Sequence, residues 1–411
     1  MGCEAALLAA LAPQARENPY AALADLRSLA PVYRHDALDT SFLTRFADCH
    51  AVLANPGFIV PDRAWLLRER PEWLGRPAAD FFYSSLLGTN AGDHERLRRP
   101  LSGAFGARQV AALTAAVGRT VEELLDRFAD AACDGGAADF QALVGYPLPI
   151  AVMGELIGVP RGQQEQFRLL GQDVACLLEP VRSEADWERA DQGVTALREY
   201  FAELLRERRA RPGDDLLSNL LAHADSADPG PTGRPLADRE LADLLLLLFV
   251  AGFETTAGLL GLSVFALLTH PDQLALLRAD PALLPGAVEE SLRWDGPVLM
   301  TERLASAPTG IGGVAVPAGA SVTVVLGAGN RDPQRYPSPE AFQVRRPVGR
   351  GLSFGAGAHY CLGAALARLE AAALLRRLLD RFPALVLAGQ PVRRASACLR
   401  SFDALPLATT A

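Results

Sequence analysis

Residues 239–270 read RELADLLLLLFVAGFETTAGLLGLSVFALLTH. Apolar residues recur there at helical spacing, but on nearly every side rather than in one stripe. A helix of that kind belongs in the middle of a large core, because no face of it tolerates water. The longest unbroken apolar run, Leu244 to Phe253, is too short to span a bilayer and ends in Glu254. The segment therefore predicts a long buried helix. A charge at Glu254, inside it, needs a reason.

Helical periodicity dominates elsewhere, notably in RQVAALTAAVGRTVEELLDRFADAA and WERADQGVTALREYFAELLRERRA. Strand-like pieces are few: PVYRHD with SFLTRF near the start, and GVAVPAGASVTVVLG later. Gly, Pro and Asp cluster in HADSADPGPTGRP and NRDPQRYPSPEAF, which read as loops. No repeat or linker interrupts the 411 residues. The expectation is a mainly α protein with small β-sheets: one domain over residues 1–411, a helix-rich core with a smaller sheet-bearing side.

Half of the residues are hydrophobic, which supports a sizeable core. A formal charge of −8 argues against a nucleic-acid partner, which would call for a basic balance. All 40 basic residues are Arg, a bias that a genome rich in G and C explains. The opening residues lack the basic start of a signal peptide, so the expected location is the cytoplasm, with no membrane. The six cysteines are scattered without a C-x-x-C pair, neither a disulfide framework nor a zinc site.

One cysteine stands apart. In SFGAGAHYCLGAALARLE, Cys361 lies among Gly355, Gly357 and Gly363, where a helix is expected to begin. Glycines let a backbone turn sharply and approach something flat. Helix N-termini stabilise a thiolate through unpaired N–H groups and the dipole. A lone thiolate with no second protein ligand suits a metal whose other positions a macrocycle fills, and haem iron is such a metal. The plain alternative is a buried cysteine beside a glycine-rich turn, for which the spacing F-G-x-G-x-H-x-C-x-G is too specific.

With these residues in view, the chain resembles the cytochrome P-450 family in its soluble bacterial form, over nearly its whole length. The resemblance implies the family fold with a long central distal helix, haem b as cofactor and dioxygen as co-substrate. It makes Cys361 the axial metal ligand, with Phe354 and Gly363 beside it. AGFETT would place Ala251 and Gly252 at the oxygen pocket, where Gly252 leaves room for a small ligand. Glu254 and Thr255 would supply the proton path. His94 and Arg98, four apart on one helical face, join Arg303 and His359 as the family's partners of the haem propionates. Glu290 and Arg293 of EESLRW match a buried clamp that a later Arg usually completes. Ala341 stands at that later position, and either Arg345 or Arg346 can substitute. Gly351 replaces a common polar residue.

The function implied is a monooxygenase that hydroxylates or epoxidises a bulky, mostly apolar small molecule, with secondary metabolites such as polyketides or peptides as the expected class. The chain has no flavin domain, so electrons would come from a ferredoxin and its reductase, docking on a face that includes Arg99, Arg346 and Arg350. A monomer is expected. Oxidative coupling, ring formation and peroxide-driven oxidation share the same motifs. A catalytically silent haem protein is a further alternative, against which the intact Glu254 and Thr255 speak. The resemblance puts substrate recognition at Ile59 to Thr89, Phe167 to Trp187, Val298 to Thr301 and Leu399 to Phe402. The first segment holds Trp65, Trp73, Phe81, Phe82 and Tyr83, which either meet the ligand or pack the loop. Arg68, Arg70 and Arg76 either anchor a carboxylate or face water.

Overall fold

A computed structural model describes residues 2–132, 136–213, 216–225, 234–347 and 349–409. Cys133 and the stretch 226–233 of the Gly- and Pro-rich loop lie outside the described residues. The structure divides into two compact units. One comprises Met1–Ile59, Val121–Gly145 and Thr255–Ala411, the other Val60–Thr120 and Tyr146–Glu254.

The first unit holds every described strand. Its largest sheet has five strands in the order Val32–His35, Thr40–Leu43, Ser321–Val324, Thr301–Ala305, Phe58–Ile59. Pairing is antiparallel except between Thr40–Leu43 and Ser321–Val324. The strands expected near the start lie in this sheet with Ser321–Val324, whereas Val314–Val316 of the later region pairs with Thr309–Ile311 in a separate two-stranded sheet. Leu43, Phe58, Val322 and Val324 bury their side chains in a cluster with Val52, Leu53 and Leu352. Arg303 lies on the inner strand Thr301–Ala305, opposite Val322. Thr40, Ser321 and Thr323 carry hydroxyls that bond one another across the strands.

The helix Ala364–Arg381, also in this unit, buries Leu366, Leu374, Leu375 and Leu378. It also buries Glu370, 1% exposed, whose Oε2 has no hydrogen-bond partner among the described residues. Burial alone pushes this carboxyl up to about 8 from the ordinary 4.5. Folding therefore favours its protonated form. The stabilisation is complete below the unfolded value and is lost as pH rises toward 8, by up to ~1.4 kcal/mol per pH unit. Urea unfolding between pH 5 and pH 8 should show the parent losing stability and Glu370→Gln losing much less. Equal slopes would show that Glu370 is charged in the folded chain.

The second unit is helical. Glu184–Ala210 begins with a capping box: Ser183 Oγ accepts from the Asp186 amide, and the Asp186 carboxylate accepts from the Ser183 amide. Phe167, Tyr200, Phe201, Phe249 and Phe253 meet mostly edge to face, with centroids 4.6–5.9 Å apart. Arg96, itself buried, reaches Glu240 at 2.6 Å, and Arg198 reaches Asp243 at 2.5 Å. Both acids lie in the first turns of the long helix, Asp238–Thr269. That helix passes from the second unit into the first at Glu254–Thr255. It is long and apolar enough to cross a membrane by length and composition, yet 78% of its most apolar window is buried inside the protein.

Candidate functional site

The glycine-rich segment takes its shape from two left-handed residues. Gly355 and Gly357 both have φ +69°, a conformation that side chains disfavour. A Cβ at Gly357 would also collide with the Leu53 carbonyl. The turn closes through the Cys361 amide, which donates to the Phe354 carbonyl at 2.9 Å. The sequence places the start of the following helix at Cys361. In the structure that helix starts at Ala364, with Gly363 as N-cap, so the cysteine stands in the turn before the first helical residue. Cys361 is exposed, and the space a Cβ at Gly363 would enter holds no atom within 4 Å. Every other described cysteine is buried or half-buried, and all are unbridged. The Phe354 ring lies under the Arg368 guanidinium, 4.4 Å from its centroid, and Arg368 also pairs with Glu289.

Arg303 is 6% exposed, and its contacts are neutral ones: Nη1 donates to the Glu302 carbonyl at 2.7 Å and to Thr301 Oγ1 at 3.3 Å. No carboxylate among the described residues lies within ion-pair distance. Burial lowers its pKa to about 10, so the charge remains at neutral pH in a place that disfavours it. Such a guanidinium fits a carboxylate supplied from outside the chain. A buried cation that lacks a protein acid, and an exposed thiol beside an open glycine, are what a haem with carboxylate side chains requires of a protein.

The clamp is resolved. Glu290 and Arg293 are fully buried, with Nε–Oε2 2.7 Å and Nη2–Oε1 2.8 Å. Arg346, not Arg345, supplies the third member, Nε to Glu290 Oε1 at 3.2 Å. Ala341 contributes its carbonyl instead of a side chain, accepting from both Arg293 and Arg346 at 3.0 Å. Arg346 is therefore 8% exposed and cannot belong to a docking face, where it had been expected. Arg345, Arg350 and Arg99 are exposed. Asp295, at the end of the same helix, anchors the next segment. Burial works against its charge, but Arg400 and Arg393 hold its carboxyl well below the usual range. The backbone of Leu399 then bridges Val298, and the Arg400 amide donates to the Pro297 carbonyl at 2.8 Å.

In the second unit, His94 is buried and Arg98 half-buried on the helix Ala91–Ala104. Glu254 is 4% exposed, which rules out a surface carboxylate. Thr255 and Thr256, the first residues of the long helix in the first unit, are half-buried and buried. Gly252 differs from expectation. A Cβ there would lie 2.7 Å from Met153 Sδ, so the glycine admits the helix Pro147–Ile157 rather than leaving that space for a ligand. The aromatic residues between Ile59 and Thr89 pack on one another and on the helix Glu184–Ala210: Trp65 on Tyr83 at 5.4 Å, and Trp73 on Trp187 at 5.0 Å. Arg76 is committed to Glu184 and Asp191, and Arg70 covers Trp73. Arg68 and Arg70 are both exposed. Neither Met153 nor Gln141, discussed below, stood out in the sequence.

Residues 163–397 match the family model for cytochrome P450. This chain belongs to the cytochrome P450 family. It is 38% identical to 6-deoxyerythronolide B hydroxylase of Saccharopolyspora erythraea, over 94% of this chain and 95% of that one. It is 35% identical to the cytochrome P450 monooxygenase PikC of Streptomyces venezuelae, over 97% and 93%. Among solved structures, P450BioI in complex with an acyl carrier protein bearing hexadec-9Z-enoic acid superposes with a TM-score of 0.89. That match covers 97% of this chain and 100% of the other, at 32% identity. As a P450 monooxygenase, the enzyme uses haem b and dioxygen.

Proposed function

We propose that this P450 hydroxylates or epoxidises a bulky, mostly apolar polyketide or related secondary metabolite, acting as one functional domain. The observation that carries the haem assignment within this chain is the Cys361 turn, an exposed thiol framed by two left-handed glycines. The substrate class is supported by relatives named for polyketides, among them 6-deoxyerythronolide B hydroxylase and PksS of Bacillus subtilis.

Cys361 would hold the iron, and His94, Arg98, Arg303 and His359 the propionates, with Phe354 and Gly363 beside the sulfur. When bound, haem supplies the redox chemistry that activates dioxygen, and thiolate ligation favours O–O cleavage. The protein's own task is to hold substrate, exclude water and deliver protons. Glu254 and Thr255, consecutive on the long helix, give a carboxyl and a hydroxyl for that delivery. Ala251, one turn earlier, would line the distal surface, while Gly252 serves the packing of Met153. A ferredoxin and its reductase would bring electrons to a monomer in the cytoplasm, with Arg350 and Arg99 as candidate docking cations.

Adding 6-deoxyerythronolide B or simpler macrolactones to the holoenzyme should shift the haem absorbance. Turnover should then yield a product heavier by one oxygen atom. Silence toward every macrolactone, with a response to another class, would overturn the substrate assignment.

Arg303→Leu should weaken haem retention by ~1–3 kcal/mol, because one bound carboxylate loses its charged partner. Transfer of haem to apomyoglobin measures this, and an unchanged rate would remove Arg303 from the site. Thr255→Ala should still consume reductant and oxygen but release more hydrogen peroxide and less product. Thr256→Ala, turned about 100° away, should be milder. Parental coupling in Thr255→Ala would assign proton delivery to another group.

A further inference from the structure

Gln141 opens a single π-helical turn, Gln141–Gly145. Such turns are rare, and they recur at functional sites. Asp139 fixes its start: the carboxylate accepts from the Gln141 amide and from the Leu405 amide, both at 2.9 Å. The Gln141 side chain is fully buried, and its Nε2 donates to the Ala257 carbonyl of the long helix at 3.1 Å.

Two glycines make this approach possible. A Cβ at Gly145 would lie 2.7 Å from Gln141 Cδ, and a Cβ at Gly261 would collide with Oε1. In an α-helix the Gly261 amide is the regular donor to the Ala257 carbonyl, so the glutamine adds a second donor to the same oxygen. Gln141 Oε1 has no hydrogen-bond partner among the described residues. A buried amide with an unsatisfied oxygen is costly where an apolar side chain would not be.

We propose that Gln141 is a positioning residue for the turn of the long helix that carries Thr255. By holding the Ala257 carbonyl, two residues on, it fixes where that turn sits. The functional meaning rests on the role proposed above for Thr255.

The test uses holoenzyme with carbon monoxide as the diatomic probe. Gln141→Met keeps the volume and removes the donor. It should shift or split the infrared C–O band of the ferrous complex and raise amide exchange across residues 255–261 by a factor of about 2 to 10, as one net hydrogen bond implies. Gly261→Ala should do the same from the helix side. In Gln141→Glu a protonated carboxyl can donate as the amide does. The parental band should therefore return as pH falls and disappear as it rises. A parental C–O band in Gln141→Met overturns the proposal, whatever Gly261→Ala does. Thr255→Ala separates the two readings. If Gln141→Met moves the band while Thr255→Ala keeps parental coupling, the helix is positioned by Gln141 and Thr255 has another role. If Thr255→Ala uncouples and Gln141→Met leaves the band in place, the Gln141 proposal alone fails.

Discussion

Glu290→Ala should lower stability by ~3–5 kcal/mol, a large share of the total for a natural protein. The carboxylate is fully buried and balances two guanidiniums, Arg293 and Arg346, that are themselves almost wholly removed from water. It also accepts from the Gln343 amide at 2.8 Å. Removing it leaves two buried cations facing carbonyls and the Tyr336 ring, with no counter-charge bonded to them among the described residues. Breaking an exposed pair such as Arg376–Asp380 should cost less than ~1 kcal/mol, because water already solvates both ends. The urea midpoint of each holoenzyme variant reads the difference. Arg346→Leu should resemble Glu290→Ala in direction, while Arg345→Leu, at an exposed position, should leave the midpoint in place. If Glu290→Ala unfolds at the parental midpoint, the clamp contributes no stability. If Arg345→Leu is the damaging variant, the assignment of the third member is wrong.

The contrast between Arg345 and Arg346 shows where reading a sequence ends. Spacing alone puts Glu290 and Arg293 one turn apart on a helix and says nothing of burial; the buried clamp was implied by the family resemblance. Which of two adjacent arginines turns inward depends on the backbone path after Pro339, and periodicity carries no information about a loop. The long helix and the sheet strands were legible because their patterns are set by burial, which hydrophobicity records directly. The helix start at Ala364 was not legible to the residue: Cys361, Leu362 and Gly363 suit a turn as well as a first helical turn. Gly252 shows a related gap. A glycine in an apolar helix signals a close approach, but only packing reveals that the neighbour is Met153. The aromatic residues between Ile59 and Thr89 were open between ligand and loop, and Trp65 on Tyr83 shows two of them packing together. Gln141 left no periodic signature, since its burial comes from residues 257–261, far away along the chain.

The cysteine motif was the most legible part of the candidate site, because Gly355 and Gly357 answer a backbone requirement and the thiol itself is reactive chemistry. Cys361→Ser keeps the size and the turn but replaces the sulfur with an oxygen that is a poor thiolate substitute. The other described cysteines are half-buried or buried, and Cys49, whose thiol burial pushes far up, is a packed side chain rather than a ligand. Replacing any of them should therefore leave the iron's electronic environment alone. The most direct measurement is the difference spectrum of the ferrous carbon monoxide complex, recorded for the parent, Cys361→Ser and Cys49→Ala. The parent and Cys49→Ala should show the strongly red-shifted Soret band of thiolate-ligated haem, and Cys361→Ser should lose it entirely. Retention of that band in Cys361→Ser would contradict the assignment of the metal ligand and, with it, the account of the site.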